Sequence, residues 1–153
     1  MKNRILAAAA ACVLTVGMTG CETNKATGRS QLVLLGWQQE IALGAEAQPE
    51  LTQEYGGAVK DARLVAYVDD IGRRLARHTV NEVPDLPWEF TLLDSDVINA
   101  FALPGGKVFF SRGLAAKLTD EAQMALIMGH EIGHVTARHG SERISQTMVA
   151  QLG

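Results

Sequence analysis

The segment Met128-Gly129-His130-Glu131-Ile132-Gly133-His134 governs the reading of the whole chain. Four residues at 3.6 per turn amount to about 400°, so His130 and His134 share one helix face, roughly 40° apart. Two imidazoles one turn apart can bind a single zinc ion at about 2.0–2.1 Å. Glu131 leaves the helix beside the first of them, placed to take a proton from an attacking water. The combination implies a zinc hydrolase, most often a metallopeptidase. Its expected parts are the metal ligands His130 and His134, the catalytic base Glu131 and one Zn2+ per chain.

The flanking residues fit a helix. Thr119 is a suitable N-cap, and Asp120 and Glu121 fall in the first turn, where the helix dipole favours acids. Leu118, Ala122, Ala125, Leu126, Gly129, Ile132 and Gly133 then make it largely apolar. Polar groups buried in such a helix need partners, so two histidines and a glutamate there point to a site.

The third protein ligand is harder to find. The HExxHxxGxxH pattern fails, because Ala137 stands where the glycine belongs and Gly140 where the histidine belongs. His139 lies five positions after His134, about 140° around, and can join the site only if the helix breaks first. Glu142 would sit roughly 12 Å farther along a continuous helix. A third protein ligand is therefore expected downstream of residue 153. Residues 144–153 read as the middle of a helix, which predicts a domain truncated after the HExxH helix.

At the other end, Met1-Lys2-Asn3-Arg4 is basic, Ile5 to Val16 is apolar, and Gly17-Met18-Thr19-Gly20 leads into Cys21. The apolar stretch is shorter than the ~20 residues that cross a bilayer, so it reads as a bacterial secretion signal. Small residues directly before a cysteine resemble a lipobox, with Cys21 as the lipidated first residue, although Met18 replaces the usual leucine. Both cysteines lie within the first 21 residues, which leaves no internal disulfide. Lys2 and Arg4 leave with the leader; the 14 basic residues less these two stand against 17 acidic ones, a net charge of −5. That balance argues against nucleic acid as a partner.

Residues 21–36 are expected to be a lipid anchor and polar tether, with the apolar run Gln31 to Leu35 laid against the core. A helix is expected from about Trp37 to Tyr55, broken at Pro49 and ended by Gly56-Gly57. A clearer amphipathic helix spans Asp61 to about Val80, with Arg63, Arg73, Arg74 and Arg77 on its solvated side. Alternation from Trp88 to Leu93 predicts a strand, and Val97 to Leu103 and Lys107 to Ser111 form two more around the turn Pro104-Gly105-Gly106. The order predicts an α+β fold with a small antiparallel sheet. Residues 1–20 form the signal, and 37–153 the N-terminal part of a peptidase domain.

Three segments resemble the gluzincin family of zinc metallopeptidases that includes the CAAX prenyl protease and HtpX, in its periplasmic lipoprotein branch (BepA/LoiP-like). They are Thr27 to Leu32 followed by Glu40-Ile41-Ala42-Leu43-Gly44, then Asn99-Ala100-Phe101-Ala102-Leu103-Pro104-Gly105-Gly106, then Gly129 to His139. The resemblance implies a zincin-like fold, the ligand and base roles already given, and a third ligand that is a glutamate well downstream. It also implies that Asn99, Ala100, Phe101 and Ala102 form a sheet edge that pairs with extended substrate.

The expected function is a zinc-dependent metalloendopeptidase degrading unfolded or mis-assembled cell-envelope proteins. Its expected place is the periplasm, lipid-anchored, with Glu22 after the lipid cysteine favouring the outer membrane. The alternative is a non-catalytic chaperone-like or binding module, since the third zinc ligand is missing from this chain.

Overall fold

The computed structural model describes residues 21–152; the signal-peptide reading of residues 1–20 lies outside them. Two short strands, β1 (Cys21–Thr23) and β2 (Ser30–Leu32), pair antiparallel. Residues 22–30, expected to be a tether, are therefore a folded hairpin. Asn24 makes the difference: its Oδ1 accepts from the backbone N–H groups of Ala26 and Thr27 at 2.9 Å, closing the loop. Its Nδ2 donates to the Thr136 carbonyl at 2.9 Å, tying the loop to the distant end of the protein.

Helix α1 (Trp37–Glu54) starts where the Gly36 N–H donates to Gln39 Oε1 at 2.7 Å. It runs through Pro49 instead of breaking there. One backbone bond is lost, yet Glu40 and Gly44 are buried before the proline. The Thr52 hydroxyl donates to the Gln48 carbonyl across it at 2.8 Å. The buried turns before the proline and this bond across it outweigh a local penalty of about 3 kcal/mol. Gly56 and Gly57 then end the helix with φ of 84° and 90°, as expected.

Helix α2 (Ala62–Ala76) is capped by Asp61, whose carboxylate accepts from the Arg63 N–H at 2.9 Å. It buries Val68, Ile71, Gly72 and Ala76, while Arg73 and Arg74 pair with Asp69 and Asp70 on the solvent side. A 3-10 turn (Arg77–Thr79) ends it.

Three strands follow: β3 (Glu89–Leu93), β4 (Ala100–Leu103) and β5 (Lys107–Ser111). Their order is β3-β5-β4, with β5 parallel to β3 and antiparallel to β4. The expected all-antiparallel sheet is thus a mixed one. Residues 94–99 carry the chain past the site of β5, and the 104–106 turn folds β5 back into the gap. The most buried strand takes the centre, where Val108, Phe109 and Phe110 are each at most 1% exposed. Strand β4 is left as an edge.

After a short helix, α3 (Arg112–Ala115), comes α4 (Glu121–Thr136). Its N-cap is Asp120, one residue beyond the expected Thr119; Asp120 Oδ1 accepts from the Gln123 N–H at 2.9 Å. Met124, Met128, Ile132 and Val135 form its buried stripe. Three of them join Val68, Ile71, Phe90, Leu92, Val108 and Phe110 in the main core, between the sheet and the pair α2 and α4. The other sheet face carries Phe101 stacked on Phe109, with ring centres 4.7 Å apart, under Tyr55 at the end of α1. The chain breaks at Arg138, a non-glycine residue with φ of 57°, and restarts as α5 (His139–Ala150). No described helix is long and apolar enough to cross a membrane.

Candidate metal centre

Helix α4 presents His130 and His134 on the side away from its apolar stripe, with His130 exposed and His134 half-buried. Their Nε2 atoms lie 3.1 Å apart, and the rings meet edge to face at 86°. Two nitrogens held at about 2.05 Å from one tetrahedral ion are about 3.3 Å apart, so these two converge as ligands of a single zinc would. Among the described residues no cluster of three or more His, Cys, Asp and Glu side chains is gathered to hold a metal. The pair fits two positions of a zinc shell.

Glu131 is 9% exposed. Burial pushes its carboxyl above the ordinary glutamate range, and the charges of His134 and His130 pull it partly back. A carboxylate poorly solvated beside two imidazoles is set up to accept a proton.

A cleft of about 190 Å3 joins this helix to the sheet edge. Phe101, Ala102, Leu103 and Pro104 line one side, and Glu131, His134 and His139 line the other. Of the expected substrate residues, Ala100, Phe101 and Ala102 lie on β4. Asn99 stands one residue before it, where its carbonyl accepts from the Ser111 N–H at 3.0 Å. Its own N–H donates to Ser111 Oγ at 3.1 Å. The anchor candidate Cys21 is an exposed free thiol at the first residue of β1.

Two residues set aside on helical geometry behave differently. Glu142 pairs with Arg29 and lines a small cleft together with His134 and His139. His139 swings back once the helix breaks, and its Nδ1 lies 2.7 Å from His134 Nδ1. Burial holds its pKa below the usual histidine range, with the His134 charge adding to the effect. The break depends on Arg138, which is 4% exposed and donates from Nε to Glu40 Oε1 at 2.8 Å. It also donates from Nη2 to the Leu35 carbonyl at 2.5 Å, pairs with Glu22, and stacks 4.4 Å over the Trp37 ring. The glutamate and its opposite charge were both visible in the sequence, but nothing there marked them as partners.

The model of "Peptidase family M48" matches residues 62–153, more than half of the chain, including the helix just described. The chain belongs to peptidase family M48. Similar curated M48-type proteins include the mitochondrial metalloendopeptidase OMA1 of Bos taurus, 34% identical over 137 residues, 83% of this chain and 25% of that protein. The OMA1 of Schizosaccharomyces pombe is 33% identical over 71% of this chain and 32% of its own length. The beta-barrel assembly-enhancing protease of Escherichia coli is 42% identical over 81 residues, 53% of this chain and 16% of that protein. The chain thus spans a third or less of each relative's length. The OMA1 relatives are named as metalloendopeptidases, and peptidase family M48 generally uses zinc.

Proposed function

We propose that this chain supplies the zinc-binding catalytic core of an endopeptidase that cleaves unfolded or mis-assembled cell-envelope proteins. The observation that carries this reading is the convergence of His130 and His134 Nε2, 3.1 Å apart, in a cleft shared by Glu131 and strand β4. His130 and His134 would hold the ion, with the remaining protein ligand coming from outside the described residues. Zinc, when bound, supplies a Lewis acid that polarises the scissile carbonyl and acidifies water. Glu131 takes a proton from the attacking water as its oxygen bonds to the carbonyl carbon. When the C–N bond breaks, Glu131 returns that proton to the departing amine.

Substrate selection follows from β4. Its outer side has no partner strand among the described residues, so an extended peptide can add to the sheet through backbone hydrogen bonds. Ala100, Phe101 and Ala102 supply that edge, and Asn99 fixes its start. Recognition of backbone favours unfolded chains of loosely defined sequence. The bacterial relative's name, beta-barrel assembly-enhancing protease, suits an envelope location, and so does the leader read before Cys21. We assign the protein to the periplasm, anchored through Cys21, at the outer membrane.

In the full-length protein, Glu131→Gln is expected to abolish cleavage of casein while zinc content, measured by atomic absorption, stays at the wild-type level. Near-normal turnover in that variant would remove Glu131 from its role. Cys21→Ala is expected to move the protein from the membrane to the soluble fraction; a wild-type protein that is soluble and lacks an acylated cysteine by mass spectrometry would end the lipoprotein reading.

A further inference from the structure

We propose that His139 is a positioning residue for His134, accepting the His134 Nδ1–H and so keeping the His134 Nε2 lone pair turned toward the ion shared with His130. The inference rests on the metal-site reading above and adds a residue to it. Both nitrogens of His134 are engaged: Nε2 faces His130 Nε2 at 3.1 Å, and Nδ1 faces His139 Nδ1 at 2.7 Å. An imidazole that gives its Nε2 lone pair to a metal carries its proton on Nδ1 and needs an acceptor there. Among the described residues His139 Nδ1 is the group at hydrogen-bond distance. The rings meet at 66° with centres 5.0 Å apart, an edge contact rather than a stack. His139 then carries its own proton on Nε2.

The same geometry excludes His139 as a ligand of that ion, because it meets His134 on the ring edge opposite the one turned toward His130. Its place depends on the left-handed residue before it. A continuous helix would carry residue 139 about 140° away from His134. Arg138, held by Glu40 and the Leu35 carbonyl, turns the chain so that α5 begins with His139 against His134. The first turn of α1 thereby sets the orientation of a metal ligand on α4.

The test measures zinc affinity of the full-length protein by competition with a chromophoric chelator, beside the imidazole ¹⁵N spectrum of the zinc-loaded protein. His139→Ala is expected to weaken zinc binding about 10- to 100-fold with the thermal unfolding of the metal-free protein unchanged. His139→Asn, whose Oδ1 can stand in for the acceptor, is expected to recover most of the loss. The wild-type spectrum should show a His134 Nδ1–H bonded to a second imidazole nitrogen. His139→Ala within twofold of wild-type affinity overturns the proposal. So does a wild-type spectrum with no such proton, whether or not the alanine variant folds. Loss of zinc in His139→Ala as complete as in His130→Ala, without rescue by Asn, makes His139 a ligand and also overturns it. If His130→Ala leaves zinc binding unchanged, the metal-site reading itself has failed; if only His139→Ala does, this inference alone has.

Discussion

Gly44 shows how one residue joins segments that stand far apart in the sequence. A Cβ at that position would lie 2.1 Å from the Pro104 carbonyl oxygen, and Gly105, with φ of 79°, packs against the Ile41 backbone. The motifs Glu40 to Gly44 and Asn99 to Gly106 are thus two sides of one contact, which sets the turn feeding β4 and β5. Gly44→Ala forces backbone apart at that turn. It is expected to destabilise the protein by about 1–3 kcal/mol, seen as a lower urea midpoint with unchanged m-value. The histidines and Glu131 were legible at this scale because helical spacing alone brings them together. The approach of His139 was not, because it depends on the backbone angle of Arg138.

At the level of elements, the parallel pairing of β3 with β5 sets Glu89 opposite Lys107. The Lys107 side chain is 4% exposed, and its ammonium donates to Glu89 and to the Pro87 carbonyl. Hydrogen bonds from Lys107 and Gln48 hold the Glu89 carboxyl below its ordinary value of 4.5. A depressed folded pKa means that this stabilisation is complete above the unfolded value and is lost as pH falls through the folded one. Glu89 is half exposed, so solvent screening limits the effect to about 1 kcal/mol. Glu89→Gln is expected to be less stable than wild type by about that amount at neutral pH, with the difference shrinking between about pH 5 and pH 3. Denaturant titrations across that range measure it; a difference independent of pH would remove the ion pair as its cause.

Across the whole molecule, the N-terminal hairpin holds the far end of α4 and the start of α5. Asn24 donates to Thr136, Arg29 pairs with Glu142, and the Leu34 N–H donates to Ser145 Oγ at 2.9 Å. Asn24→Ala removes a buried hydrogen bond and the acceptor that closes its loop. The expected cost is about 2 kcal/mol, together with faster limited proteolysis within residues 24–35. Unchanged cleavage there would show that the other two ties suffice. If Cys21 is the lipidated residue of the proposal above, no tether separates lipid from fold, since β1 begins at Cys21 itself.

Sequence by itself determined the features whose causes are local. Asp61 caps α2, the glycine pair closes α1, and the 104–106 turn separates two apolar strands, each through interactions spanning a few residues. The His130, Glu131 and His134 triplet belongs with them, and so does the α+β class. Tertiary structure alone decided the strand order, the passage of α1 through Pro49, the folding of residues 22–30 and the break at Arg138. Each of these is settled by partners remote in the chain: Glu40 holds Arg138 from 98 residues away, and Asn24 reaches Thr136 across 112. Periodicity and capping describe the free energy of a segment in isolation. A buried guanidinium held in a left-handed turn, or a loop closed over a helix end, is stable only once its distant partner has arrived.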